Sequence, residues 1–375
     1  MSIGLYIHIP FCASKCPYCD FHSFPGREYL MAAYVEALTS ELDLRLRRSP
    51  DAQADTLFWG GGTPTLLPDS SIHSLGLFLQ DCFPAGWKEF TVEANPGTVT
   101  PRKLEILLEI GVTRLSLGVQ SFLDRSLNSL GRIHTRADSL NAFRAARASG
   151  FTRISLDLIY GLPDQSLSLW EDDLREAVSL QPEHISAYCL TLEPGTPFYG
   201  RWKRGELRLP DEEASVAMYE KTLETLERVR YRQYEISNFA LAGEECKHNL
   251  RYWRGGPYWG IGAGAHSYFG GARSWNKKKL ESYLSDLREG RLPVGGREWL
   301  PKEKRLGEAI MLGLRTLSGV DLQDLFRSNE VTPDGRYDTL IERFRAQGLL
   351  LYDPPNLRLT QKGFLVSDTI FCEFL

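Results

Sequence analysis

"YIHIPFCASKCPYCDFHSF", Tyr6 to Phe24, places three thiols, Cys12, Cys16 and Cys19, within eight residues of chain. The apolar run before them, Ile3 to Ile9, reads as a strand. After them, Leu30, Tyr34, Leu38 and Leu42 recur four apart and mark one face of a long helix. The cysteines thus lie on a loop between a strand and a helix, spaced C-x3-C-x2-C. Seven cysteines in 375 residues are too few for a disulfide scaffold, and a tight cluster of this kind points to metal or redox chemistry. Thiolates are soft ligands that suit zinc or an iron–sulfur cluster. Three of them would leave one iron of a cubane free of protein, open to a small molecule. A zinc site would need a fourth ligand, for which His22 is the candidate; three reduced structural thiols are the plainest alternative.

Outward from this loop, the chain alternates. "DTLFW" reads as a strand before "GGGTP", and "PDSSIHSLGLFLQDCF" as a helix opening on Pro68 and Asp69. "EFTVEA", "TRLSLGV", "FTRISLDLIYG" and "HISAYCLTL" follow as strands. Between them come the helical stretches "TPRKLEILLEIG", "RADSLNAFRAARASG" and "SLSLWEDDLREAVSL", and a sixth helix spans about Asp211 to Arg230. Six strand–helix units imply a parallel sheet with right-handed crossovers, so the fold class is α/β and the expected architecture a partial (β/α)6 TIM-type barrel. Polar residues fall at the carboxyl ends of these strands: His8 and the cysteines, Gly60 to Gly62, Glu93, Gln120 and Asp157. That is where barrels carry their chemistry.

The barrel is assigned to residues 1–235. Residues 236–300 form an aromatic- and glycine-rich segment, "HNLRYWRGGPYWGIGAGAHSYFGG" within it, expected to be loop that completes the core. Residues 301–375, with helical "EKRLGEAIMLGLRTL" and "DTLIERFRAQG" and a hairpin in "LLLYDPPNLRLTQKG", are expected to form a smaller, mainly helical, winged-helix-like domain. A formal net charge of -4 supplies no field for a phosphate backbone, so no nucleic-acid partner is expected. No apolar stretch approaches the roughly 20 residues of a membrane span, and the first residues carry no secretory pattern; the expected location is cytoplasmic. Cys82, Cys189, Cys246 and Cys372 lack ligand spacing and are expected to be small buried residues. His266 reads as a hydrogen-bonded loop histidine, and Lys277 to Lys279 as a solvated charge run without a role.

The cysteine spacing after the first barrel strand, with "GGGTP" on the second unit, resembles the radical S-adenosylmethionine superfamily. More narrowly, "YIHIPFC", "GGGTPT", "VEANP", "LGVQSF", "LGRIH" and "DLIYGLP" resemble the group that contains oxygen-independent coproporphyrinogen III oxidases and the related HemW heme chaperones. The resemblance implies a [4Fe–4S] cluster on Cys12, Cys16 and Cys19 and S-adenosylmethionine at the free iron, cleaved by one electron to a 5′-deoxyadenosyl radical. It implies Tyr6 beside the sulfonium and Gly61, Gly62 and Thr63 at the methionine end. Glu93, Gln120 and Asp157 would hold ribose hydroxyls or the amine, Arg132 the carboxylate, and Tyr18 would lie near adenine.

Within that group, two features depart from the oxidase pattern. Phe21 stands where the oxidase has a fourth cysteine, and the chain begins a few residues before the first strand, where the oxidase carries a long arm. A missing substrate lid is therefore expected. "HNLRYW", by contrast, matches the H-N-x-x-Y-W motif of the chaperones, which implies heme at His248 with Tyr252 and Trp253 stacked on the macrocycle. The expected function is heme binding and delivery to acceptor hemoproteins, without coproporphyrinogen oxidase activity. An electron donor is the further partner implied, and a homodimer and peripheral contact with membrane-bound clients are compatible with it. The alternative is coproporphyrinogen oxidation or another radical reaction on a tetrapyrrole.

Overall fold

The computed structural model describes residues 2–375. Six strands run parallel and side by side: β1 (Ser2–Ile9), β2 (Gln53–Gly61), β3 (Glu89–Ala94), β4 (Arg114–Gln120), β5 (Ile154–Tyr160) and β6 (His184–Cys189). Their outward residues are apolar, among them Leu5, Ile7, Trp59, Val92, Leu117, Leu156 and Ile185, and all are buried under the crossover helices. Local chemistry sets where those helices start. Thr135 and Asp138 form a reciprocal capping box at Arg136–Ser149, and Thr100, Ser166 and Asp211 cap three others through their side chains.

The inward residues are different. β4 presents Arg114, Ser116, Gly118 and Gln120, β5 Ser155 and Asp157, and β6 His184 and Ser186 to one interior space. Barrels of this type are usually filled by branched apolar side chains. Here the interior is polar and open.

The segment expected to be loop instead extends the sheet at both edges. β8 (Asn238–Ala240) adds antiparallel to β6 and β7 (Arg232–Gln233) antiparallel to β8, while β9 (Tyr258–Ile261) lies parallel to β1 and leads into the meander β10 (His266–Phe269), β11 (Ala272–Asn276) and β12 (Val294–Trp299). The result is one twelve-stranded open sheet. Strands of two to six residues, interrupted by glycine, show too little alternation to be read locally; partners far away in sequence supply their order. The glycines have packing reasons as well. A Cβ on Gly260 would lie 2.0 Å from the His266 carbonyl oxygen.

This extension is latched by Glu41, which is fully buried on the first long helix. Its carboxylate accepts from the Gly262 amide (2.9 Å), Tyr283 (2.7 Å), Asn276 (2.8 Å) and Arg45 (2.7 Å). Removing one partner of such a network strands the others. Glu41→Ala is expected to lower the unfolding free energy by about 3–5 kcal/mol, measured by urea denaturation.

The short helix Lys247–Trp253 covers the amino-terminal end of the barrel, opposite the cysteine loop. Glu89, the first residue of β3, accepts from the amides of Lys247 (3.1 Å) and His248 (3.0 Å), and Arg251 pairs with Asp55 near the start of β2. Residues 302–374 pack a second core around Leu306, Ile310, Leu314, Phe344, Leu357 and Ile370. Its small sheet joins β13 (Val320–Asp321), β14 (Leu350–Asp353) and β15 (Asn356–Leu359), the last two being the hairpin read from sequence. Of the four cysteines expected to be buried, only Cys246 is; Cys82 is half-buried, and Cys189 and Cys372 are exposed. Cys189 is the last residue of β6, at the barrel mouth, and Cys372 lies on a short terminal helix, positions that spacing alone does not reveal. Among the described residues, no helix is long and apolar enough to cross a membrane.

Candidate functional site

One cavity of about 520 Å3 runs down the barrel from the cysteine loop to the helix at its foot. Cys12, Cys16, Cys19, Tyr6, Tyr18, Gly61, Gly62, Thr63, Glu93, Gln120, Arg132 and Asp157 all line it. His248 and Tyr252 line its floor. Trp253 does not reach it.

The cysteine loop is pinned from several sides. The Phe24 amide donates to the Pro10 carbonyl (2.7 Å), the Cys12 amide to the Phe24 carbonyl (3.3 Å), and Lys15 Nζ to the Phe21 carbonyl (2.8 Å). Pro17 fills the space left by Gly131, where a Cβ would lie 2.7 Å from its ring, and the Tyr18 ring packs on Phe198. Arg132 Nη1 lies 3.5 Å from Cys16 Sγ while Nη2 donates to the Gly118 carbonyl (3.0 Å), and the Thr63 hydroxyl is 3.9 Å from Cys12 Sγ. Burial pushes both the Cys19 thiol and the Tyr18 phenol toward higher pH.

His22 is engaged elsewhere. Its Nε2 donates to the Lys278 carbonyl (2.7 Å) and its ring packs edge-on against Phe24, so it does not complete a zinc tetrahedron with the three thiols. Among the described residues, no three histidine, cysteine or acidic side chains converge to hold a single metal ion.

The glycines at the end of β2 are required by close approach. Gly61 has φ 112°, and a Cβ there would lie 2.4 Å from the His8 ring; one on Gly62 would lie 2.5 Å from the Phe11 carbonyl. His8 accepts the Tyr6 hydroxyl at Nδ1 (3.0 Å) and donates from Nε2 to the His22 carbonyl (2.8 Å). Burial lowers its pKa to about 4, so the imidazole is neutral and keeps Tyr6 oriented into the cavity.

Two carboxyls face each other across the cavity. Glu93 accepts from the Gly61 amide (3.1 Å), and burial, with the Asp157 charge adding to it, raises its pKa to about 8. Asp157 also titrates upward through burial, although Ser116 (2.8 Å), Ser186 (2.6 Å) and Ser155 (3.4 Å) donate to it. It stands at the fourth of seven positions in β5, deeper than the strand-end placement read from sequence. Gln120 has φ 65°, a left-handed conformation held by Asp173 on Leu167–Ser179, the crossover helix after β5, which accepts from the Phe122 amide (2.5 Å) and the Ser121 hydroxyl (2.8 Å).

Sequence reasoning missed Asp173, the serine belt around Asp157 and the anchoring part of His8. A readable signal did exist for the serines. Ser116, Ser155 and Ser186 each interrupt an apolar run within a parallel strand.

"HNLRYW" has a different setting from the cysteines. His248 is fully buried, its Nδ1 and Nε2 hydrogen-bonded to Thr56 Oγ1 (3.0 Å) and Tyr252 Oη (2.8 Å), and burial lowers its pKa to about 3. Trp253 faces the second core, with the Arg315 guanidinium 4.5 Å over its ring. The motif therefore does not form one flat platform: two residues point into the barrel and the third points away.

The donor set fits a cluster-bound nucleotide. Three thiols share a cavity wall with an arginine; a glycine edge admits close backbone approach; and the Thr91 hydroxyl and Arg132 Nε are buried there without partners among the described residues. Comparison with known proteins agrees. Residues 6–177 match the radical SAM superfamily and residues 300–366 the HemN C-terminal domain. The solved coproporphyrinogen III oxidase (HemN) of Escherichia coli has the same fold, with a TM-score of 0.85 and 24% identity over 100% of this chain and 90% of that one. The heme chaperone HemW of Bacillus subtilis is 38% identical across 99% of this chain and 98% of its own length. HemW of Escherichia coli is 43% identical across 70% of this chain and 69% of its own. The chain belongs to the HemW family of the radical S-adenosylmethionine superfamily.

Proposed function

We propose that the chain binds a [4Fe–4S] cluster, S-adenosylmethionine and heme, and delivers heme to acceptor hemoproteins. The observation that carries the cofactor part is the single cavity shared by three thiols, Arg132, the Gly61–Gly62 edge and the Glu93–Asp157 pair. Cys12, Cys16 and Cys19 would hold three irons of the cluster. Arg132 would pair with the methionine carboxylate and Glu93 or Asp157 with its amine, and Tyr6 would offer an aromatic face to the sulfonium. With both groups bound, such a site supplies one-electron reductive cleavage of the sulfonium. The polar barrel interior orients the nucleotide, and Gln120, held by Asp173, offers its amide to it.

Delivery rather than oxidation is supported by the relatives named heme chaperones and by Phe21, 62% exposed at the cavity mouth where the oxidase pattern has a thiol. The decisive experiment reconstitutes the chain with iron and sulfide under anaerobic conditions, titrates hemin and assays coproporphyrinogen turnover. A heme absorption band without decarboxylation supports the chaperone; decarboxylation supports the oxidase.

Within this reading, His248 ligates heme only after releasing the Tyr252 hydroxyl. Tyr252→Phe frees Nε2 and is expected to tighten hemin binding severalfold, whereas His248→Ala abolishes the band. Equal hemin affinity in parent, Tyr252→Phe and His248→Ala proteins removes His248 from the heme site.

A further inference from the structure

The chain that carries the Gly61–Gly62 edge is held on two sides. Toward the cysteine loop, the Gly62 amide donates to the Ile9 carbonyl (2.8 Å) and the Thr63 amide to the Phe11 carbonyl (2.8 Å). On the other side, Lys103 reaches it from the helix Pro101–Glu109. Its Nζ donates to the Thr65 carbonyl (2.6 Å) and the Leu67 carbonyl (2.8 Å) and lies 3.4 Å from Asp69 Oδ1. Three acceptors thus meet the three N–H donors of one ammonium. They fix the short turn Pro64–Leu66, which begins directly after Thr63. The Thr65 hydroxyl is tied as well, 2.6 Å from that of Thr98.

Burying an ammonium is costly unless its donors are met, and among the described residues Lys103 is the only buried lysine. Neither Lys103 nor Thr65 nor Leu67 lines the cavity, whereas Gly61, Gly62 and Thr63 do. Gly61 and Gly62 have no side chains with which to anchor themselves, so where this edge stands depends on the backbone ties at either end. The buried cation therefore sits behind the one strand end whose backbone is built for close approach to a ligand.

We propose that Lys103 is a positioning residue for the methionine end of S-adenosylmethionine, acting through the Thr65 and Leu67 carbonyls on Gly61, Gly62 and Thr63. This rests on the proposed cofactor site. A residue that fixes one edge of a pocket produces a selective defect: the half of the ligand that meets that edge loses affinity, and the adenosine half does not.

The test compares S-adenosylmethionine with 5′-methylthioadenosine, which keeps the adenosine and the sulfur but lacks the amino acid. Both are measured by equilibrium dialysis against reconstituted parent and Lys103→Met chains of equal iron content. S-adenosylmethionine is expected to bind about tenfold or more weakly in the variant, with 5′-methylthioadenosine within about twofold of the parent. Lys103→Arg keeps the cation but not the three-cornered donor set, so it is expected to show the same selectivity to a smaller degree, and it carries the test should Lys103→Met not fold. Unchanged S-adenosylmethionine affinity overturns the proposal. So does an equal loss for both ligands, which would make Lys103 a brace for the fold alone. A parent chain that binds neither ligand defeats the cofactor site instead.

Discussion

Cys16→Ala is expected to drop anaerobically reconstituted iron from about four atoms per chain to below about one, with loss of the cluster's visible absorption. The thiol is only half-buried and its neighbour Arg132 keeps the Gly118 carbonyl, so the thermal unfolding of the iron-free variant should match that of the iron-free parent. Cys246→Ala is the informative contrast. That thiol is buried and donates to Glu89 (3.3 Å) at the foot of the barrel, so its loss should cost stability and leave iron content intact. Iron retained at parent level in Cys16→Ala would remove this loop from the cluster site. Zinc uptake by the parent with no iron would point to other metal chemistry, although His22 is committed to Lys278.

Glu93 carries the second large effect. With its pKa raised to about 8 by burial and by Asp157, the carboxyl is mostly protonated at neutral pH. A cationic ligand in the cavity favours the ionised form. S-adenosylmethionine binding at pH 7 should therefore expel close to one proton per chain through Glu93, read by calorimetry in buffers of different ionisation enthalpy. Affinity should rise up to about tenfold per pH unit until pH approaches 8. Glu93→Gln should erase that proton and flatten the profile.

The sign for folding is opposite to that of a salt-bridged acid. The folded pKa of about 8 exceeds the ordinary 4.5, so the native state holds a proton that the unfolded chain releases. The residue's stabilising contribution is full below pH 4.5 and is lost as pH rises through 8. Urea unfolding of Glu93→Gln should accordingly lose less stability between pH 5 and pH 8 than the parent. Ligand binding with the same proton release in both proteins would contradict this placement of Glu93.

The barrel was legible because its signals are local. Helical periodicity, the Thr135–Asp138 cap and the apolar outer faces of β1 to β6 each sit within a few residues of chain. The cysteine loop was legible for the same reason. β7 to β12 were not, since strands as short as Arg232–Gln233 gain their identity only from partners such as Phe239 and Ala240 across a turn or Gly4 to Ile7 at the far end of the chain. "HNLRYW" shows the same limit in function. Its composition suggests an open aromatic platform, but Glu89 and Asp55, more than a hundred and fifty residues earlier, draw it into the barrel floor. Asp173 is likewise invisible beside Asp172 in "WEDDL"; only packing distinguishes the carboxylate that holds Gln120's turn from the one on the surface.

The most direct test concerns the cluster's fourth iron. Mössbauer spectra of chain reconstituted with 57Fe should show four irons in one cluster, one of which changes its isomer shift when S-adenosylmethionine is added. Four irons indifferent to the nucleotide, or a centre of another nuclearity, would contradict a three-thiol site built to leave one metal corner for a ligand.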